Sequence, residues 1–95
     1  MGWGTVENGM VVDLSQMKRV TINRDKKTAI VSAGATAAEI LTATAVYDLA
    51  PVLGECGSVG SGLVLGGGLG WLTGKYGATC DNLLHARIVT ADLQA

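Results

Sequence analysis

Between Cys56 and Gly74 the chain runs for 19 residues without a charged side chain, and eight of them are glycine (57, 60, 62, 66, 67, 68, 70 and 74). Few folds tolerate such a stretch. A membrane-spanning helix would have the right length, but each interior Gly costs a helix about 0.8 to 1 kcal/mol relative to Ala, so eight oppose it by roughly 6 to 8 kcal/mol. The larger apolar residues of the run, Val59, Leu63, Val64, Leu65, Leu69, Trp71 and Leu72, are too few to offset that cost in lipid. A backbone that needs positive φ angles, or very close approach to a flat or anionic ligand, accounts for the glycines better.

Two familiar phosphate-binding spacings can be tested directly. A dinucleotide fingerprint starting at Gly60-Ser61-Gly62 needs a third Gly at 65 and meets Leu65, and one starting at Gly68-Leu69-Gly70 needs it at 73 and meets Thr73. A Walker-type loop fails as well, because Gly74-Lys75 is followed by Tyr76 where a metal-binding hydroxyl belongs, and Gly70 stands one residue too close. Neither a Rossmann nor a P-loop site is supported.

A chain of 95 residues allows one small domain with a modest core, burying roughly 60 to 65% of its unfolded surface. Its charged fraction is only 16%, against about 25% in ordinary domains. The deficit is lopsided: residues 40–95 carry only Asp48, Glu55, Lys75, Asp81, Arg87 and Asp92, so this stretch reads like the inside of something larger. A net charge of -1 with no Lys/Arg run longer than two excludes the electrostatic footprint of a nucleic-acid binder. The positive mean hydropathy excludes disorder. Cys56 and Cys80 make no disulfide framework, and with His85 as the sole histidine no metal-ligand spacing exists. No signal-peptide pattern opens the sequence.

Local signals predict a mixed α and β chain. Met10 to Leu14 suits a strand after the Asn8-Gly9 turn. Val20-Thr21-Ile22 and Ala29-Ile30-Val31 flank the turn formers of 23–27 and predict a hairpin. Thr36-Ala37-Ala38-Glu39 fits a capping box, opening a helix to about Asp48 with a buried stripe of Ala37, Ile40, Leu41 and Ala45 and with Pro51 as its latest end. Leu83 to Thr90 is apolar and β-branched enough for a last strand.

Taken together, Leu53-Gly54-Glu55-Cys56-Gly57-Ser58-Val59-Gly60, the run Gly62 to Leu72, Lys75-Tyr76-Gly77, Asp81-Asn82-Leu83-Leu84 and Ile88-Val89-Thr90-Ala91-Asp92 resemble the FAD-binding domain of the vanillyl-alcohol oxidase and p-cresol methylhydroxylase superfamily. Within it the sequence is most similar to the berberine-bridge-enzyme-like flavin oxidases. Gly2-Trp3-Gly4, Val12-Asp13-Leu14-Ser15 and Val31-Ser32-Ala33-Gly34-Ala35-Thr36 match in the same order, so the resemblance covers nearly the whole chain. It implies an α+β fold: residues 1–95 form a partial FAD-binding domain of the p-cresol methylhydroxylase type, from the end of its first subdomain into the start of its second. Family members carry a Gly-Gly-His stretch just before the Gly-Trp-Gly segment and a long C-terminal substrate domain with the catalytic base. The resemblance therefore implies a piece of a longer enzyme. Two departures stand out: one residue fewer between Val59-Gly60 and Gly62-Leu63, and Asp92-Leu93 where the family turns at Asp-Gly.

The resemblance also implies the site. Cys56 stands where many members form a sulfur bond to carbon six of the flavin, a thioether that tethers the cofactor and raises its potential; a lone Cys beside Gly is otherwise a small hydrophobe. Gly57, Ser58, Val59 and Gly60 would turn backbone N–H groups and the Ser58 hydroxyl toward the pyrophosphate, though a tight turn into a short helix fits the same residues. Gly62 and Gly67 belong to the run that lies against the cofactor, with packing as the alternative for Gly66 to Gly68. Tyr76, Gly77, Asp81 and Asn82 fall near the isoalloxazine and ribityl, where an ordinary polar cap is the competing explanation. Val89 would meet the adenine. No catalytic and no metal residue is assigned.

The function implied is an FAD-binding segment of an oxidase of alcohols or sugars that passes electrons to oxygen, inactive by itself. The alternative is a non-catalytic interaction domain or a defunct fragment that binds no cofactor. FAD is the expected ligand, and either the remainder of the parent chain or a second copy is expected on the exposed apolar surface; neither nucleic acid nor membrane is expected.

Overall fold

The computed structural model describes residues 4–94, so Gly2 and Trp3 of the Gly-Trp-Gly segment lie outside the described residues. The chain forms two compact units, 4–51 with Cys56–Ser61, and Val52–Glu55 with 62–94.

In the first unit, β1 (Val20–Asn23) and β2 (Thr28–Val31) form an antiparallel hairpin with Val20 opposite Val31 and Asn23 opposite Thr28. The turn closes through the Lys27 N–H on the Arg24 carbonyl (3.3 Å), with the Asn23 side chain accepting from the Lys26 N–H (3.1 Å). Lys27 takes a positive φ of 53° to join the loop to β2. Beyond the ladder, the Ser32 N–H donates to the Arg19 carbonyl (2.9 Å) and the Gly34 N–H to the Met17 carbonyl (2.8 Å). A Cβ on Gly34 would stand 1.7 Å from the Leu14 carbonyl oxygen, so the Leu14–Met17 turn can lie on this backbone only because residue 34 has no side chain. That contact does what the sequence assigned to a strand: Met10–Leu14 is exposed and has no strand structure. Its apolar residues find no neighbouring strand, and Asp13 instead accepts from the Ser15 N–H (2.9 Å).

Helix α1 (Ala37–Ala45) starts where the sequence placed it, and both capping-box bonds are present: Glu39 N–H to Thr36 Oγ1 (3.4 Å) and Thr36 N–H to Glu39 Oε2 (2.8 Å). Its buried side is narrower than predicted. Ala37 and Thr44 are buried and Ile40 half-buried, whereas Leu41 and Ala45 are exposed, because α1 meets β1 along the 37, 40, 44 line. The helix also ends earlier, at Ala45, three residues before Asp48 and well before Pro51. Asp48 enters the left-handed region (φ 55°) and the Thr44 carbonyl accepts from both Tyr47 (3.0 Å) and Leu49 (3.1 Å), a C-terminal turn that stops the helix without proline.

The second unit is built of single turns: α2 (Gly62–Leu65), α3 (Thr73–Tyr76) and a 3₁₀ turn at Thr79–Asn82 that touches both. Val52 is its buried apolar residue, and Gly70 lets the 53–54 backbone pass, since a Cβ there would meet the Leu53 carbonyl oxygen at 1.8 Å. Leu83–Thr90 is not a strand. The segment is exposed, and among the described residues no strand lies beside it to take its N–H and C=O groups; β propensity without a partner does not make a sheet. The Asp92-Leu93 turn does form: the Leu93 N–H donates to the Thr90 carbonyl (2.8 Å) with Leu93 at φ 63°, where the family has glycine.

These close approaches set an expected order of sensitivity. Gly34→Ala and Gly70→Ala must push backbone aside and should each destabilise by about 2 to 4 kcal/mol, seen as a lower denaturant midpoint or outright loss of the transition. Leu93→Gly should do the reverse locally, by about 1 kcal/mol, read as slower amide exchange at Leu93 and Gln94 in the parent-length chain.

Candidate functional site

The loop Cys56–Ser61 is held against the start of α1 by two backbone bonds, Ala37 N–H to the Val59 carbonyl (2.8 Å) and Ala38 N–H to the Gly57 carbonyl (2.9 Å). With Glu39 N–H on the Thr36 hydroxyl, the first three N–H groups of the helix are all taken. The positive end of α1 is thus spent on the chain itself. Gly57 fits under Ala38, whose Cβ would lie 3.2 Å from a side chain added there.

On the outer side of this loop the backbone is differently placed. Among the described residues no acceptor meets the N–H groups of Gly57, Gly60 or Ser61, and a Cβ at Gly60 would touch nothing within 4 Å. Gly60 is therefore required neither by packing nor by a positive φ. Converging donors with little side-chain bulk fit an anionic phosphate group. Val59 is half-buried, and its carbonyl faces α1; the Val59 N–H closes a turn on the Cys56 carbonyl (3.3 Å).

Cys56 is exposed and free, its sulfur 3.1 Å from the Ser58 hydroxyl. The Ser58 hydroxyl, and then the Ser58 N–H, hold the Cys56 thiol below its ordinary range by stabilising the thiolate. An exposed thiol biased toward its ionised form is the kind that attacks electron-poor carbon.

The second unit places the remaining predicted residues. Gly67 (φ 106°) and Gly68 (φ 86°) turn their carbonyls to the N–H groups of Cys80 and Thr79, both at 2.9 Å. Gly68 is a packing glycine, since a Cβ there would lie 2.5 Å from Thr79 Oγ1; Gly67 needs only its φ, and Gly62 meets nothing at all. Gly77 (φ 84°) starts a turn in which the Asp81 carboxylate accepts from the Ala78 N–H (2.9 Å) and the Asn82 amide donates to the carbonyls of Tyr76 (3.1 Å) and Ala78 (2.9 Å). Asp81 and Asn82 thus brace the loop that presents the exposed Tyr76. Lys75 Nζ lies 5.2 Å from the Tyr76 ring centre, a cation over its face. Val89 is exposed in the irregular segment 83–89. Two surface depressions, one over the hairpin turn and one beside Lys18, Ala38, Glu39 and Thr42, contain none of the predicted residues.

Sequence reasoning missed two participants. The Ala37 and Ala38 N–H groups carry no side-chain signal, and only the fold brings residues 57 and 59 to them. Thr79 was not singled out, yet its hydroxyl is buried without a hydrogen-bond partner among the described residues.

The family behind this arrangement is that of the FAD binding domain, whose profile matches residues 1–92, and the chain belongs to it. It is an α+β segment of a flavoprotein domain of the p-cresol methylhydroxylase type, and its cofactor is FAD. The crystal structure of 6-hydroxy-D-nicotine oxidase from Arthrobacter nicotinovorans superposes with a TM-score of 0.94 at 37% identity, over 98% of this chain and 21% of that one. An uncharacterised FAD-linked oxidoreductase of Bacillus subtilis is 44% identical over 88 residues, 92% of this chain and 20% of the relative. The (R)-6-hydroxynicotine oxidase of Paenarthrobacter nicotinovorans is 38% identical over 91 residues, 95% of this chain and 20% of the relative. The chain thus spans about a fifth of the length of the curated relatives it matches.

Gly60→Ala should separate folding from binding. It is expected to leave the fold intact or stabilise it by about 0.4 to 1 kcal/mol by restricting the unfolded chain, while weakening FAD affinity measured by quenching of flavin fluorescence. Thr79→Val removes a buried unpaired hydroxyl and should be neutral or stabilising by about 1 kcal/mol in chemical denaturation.

Proposed function

We propose that these residues are the FAD-binding segment of a flavin-dependent oxidase that takes a hydride from an alcohol or sugar carbon and passes the electrons to oxygen. The observation that carries the assignment of the site is the loop Cys56–Ser61, where an exposed, activated thiol stands next to backbone donors with no acceptor among the described residues and a glycine that the chain's own packing does not require. In this reading Cys56 is the sulfur attachment position, while Gly57, Ser58, Val59 and Gly60 hold the pyrophosphate end. Gly62, Gly67, Tyr76, Gly77, Asp81 and Asn82 support the flavin and ribityl, and Val89 the adenine. Flavin supplies the hydride acceptor when bound; the protein holds and tunes it.

Substrate orientation and proton abstraction are not assigned to any residue here. Among the described residues no group of His, Cys, Asp and Glu could hold a metal, and His85 is exposed with no hydrogen-bond partner among them. The 95 residues alone are therefore expected to release no peroxide from any alcohol or sugar, since an electron carrier without a positioned base does not turn over. Steady substrate-dependent peroxide from pure protein would contradict this.

A second reading, a domain whose role is interaction without cofactor, is favoured by one observation: large apolar side chains stand in water, among them Trp71 at 84%, Leu65 at 88%, Leu84 at 82% and Ile88 at 67% exposure. Under either reading this surface is to be covered by further chain or by a second copy, and the chain alone should self-associate. A clean monomer in sedimentation at micromolar concentration would refute that. Absorbance between roughly 350 and 450 nm in the purified protein separates the two readings, because only bound flavin supplies it.

A further inference from the structure

We infer that Ser58 is the positioning residue of the Cys56 thiol, its hydroxyl directed to the sulfur and not to phosphate. The inference deepens the proposed function, resting on Cys56 as the attachment position. It stands on the way the loop is built. The two carbonyls that flank Ser58, those of Gly57 and Val59, are fixed on the N–H groups of Ala38 and Ala37 at 2.9 and 2.8 Å. The Val59 N–H closes the turn onto the Cys56 carbonyl at 3.3 Å. With the backbone pinned on both sides of residue 58, its side chain and that of Cys56 come out together, and Sγ and Oγ stand 3.1 Å apart. Both residues are exposed, so an electrophile can reach the sulfur.

The chemistry assigned to Ser58 is a proton loss. The Sγ–H bond breaks, the proton passes to solvent, and sulfur keeps the electron pair. The Ser58 hydroxyl, able to donate or accept toward a neutral thiol, then turns to donate to that pair. The direction of the Cys56 shift agrees with this geometry, the hydroxyl being its largest cause and the Ser58 N–H the next. A hydroxyl engaged in this way is not free to act as a phosphate donor, which leaves the pyrophosphate end of the loop to the backbone N–H groups.

The sign of the pH dependence follows. Because the thiolate is the nucleophile, reactivity rises as pH passes through the thiol's titration, and a depressed value moves that rise to lower pH. The test needs no flavin: the rate at which iodoacetamide alkylates the full 95-residue chain in a Cys80→Ser background, followed across pH, where sulfur displaces iodide. The parent midpoint is expected below the ordinary thiol range. Ser58→Ala should move the midpoint up and slow the reaction at neutral pH by about threefold to tenfold. Ser58→Thr, which keeps the hydroxyl, should restore the parent profile, and Ser61→Ala in the same loop should not change it. A parent midpoint in the ordinary range, or a Ser58→Ala profile that overlays the parent, would overturn the inference. Failure of the attachment reading shows elsewhere: peptide mass spectrometry of a flavin-bearing longer protein with no flavin on Cys56 refutes attachment while the alkylation profiles stand.

Discussion

The pair of hydrogen bonds from Ala37 and Ala38 to the carbonyls of Val59 and Gly57 holds the first unit in its functional form. A helix start has N–H groups with no partner inside the helix, and here they are given to a loop about twenty residues further along the chain. The helix gains satisfied donors, and the loop gains a fixed backbone from which Cys56 and Ser58 project. It also settles how an anion can be bound. The helix terminus, an obvious place for phosphate, is already filled by protein oxygens, including Glu39 of the capping box. What remains for a cofactor phosphate is the outer face of the loop, where N–H groups are not committed to the chain.

The glycines divide by cause. Gly34, Gly57, Gly68 and Gly70 are places where another part of the chain passes so closely that a methyl group would collide, with the Leu14 carbonyl, Ala38, Thr79 and the Leu53 carbonyl respectively. Gly67, Gly68 and Gly77 have positive φ. Gly60, Gly62 and Gly74 have neither a close neighbour nor a positive φ. The first two groups make the fold possible, and the third is where a bound ligand supplies a physical reason that packing does not. A run that looks uniform in sequence is therefore a sequence of separate solutions.

Burial tells a related story. The apolar side chains that are truly buried, Ala35, Ala37 and Val52, are small, and none of the large ones is fully enclosed. Hydrogen-bonded turns, caps and close backbone approaches carry more of the order than a hydrophobic core does. Segment 83–89 shows the limit of such order, since its side chains are those of a strand but its backbone has no ladder to join. The uncharged stretch that read as the inside of something larger is, in the structure, largely on the surface.

The capping box at Thr36, the hairpin around 23–27 and the need for glycine-dependent geometry from Cys56 onward were legible in the sequence, because each follows from local rules: a side chain that can cap its own backbone, turn formers between β-branched pairs, and residues without Cβ. The cofactor class was legible too, from motifs in a fixed order. The helix end at Ala45, the irregular path of Met10–Leu14 and the unpaired Leu83–Thr90 were not, since an αL turn at Asp48 and the presence or absence of a neighbouring strand depend on what the rest of the chain brings alongside. The same holds for the site. Sequence named Cys56 and Ser58, but only tertiary structure put the 57 and 59 carbonyls on the helix start and so turned the Ser58 hydroxyl to the sulfur, because those partners are set by a long-range backbone contact that no local pattern records.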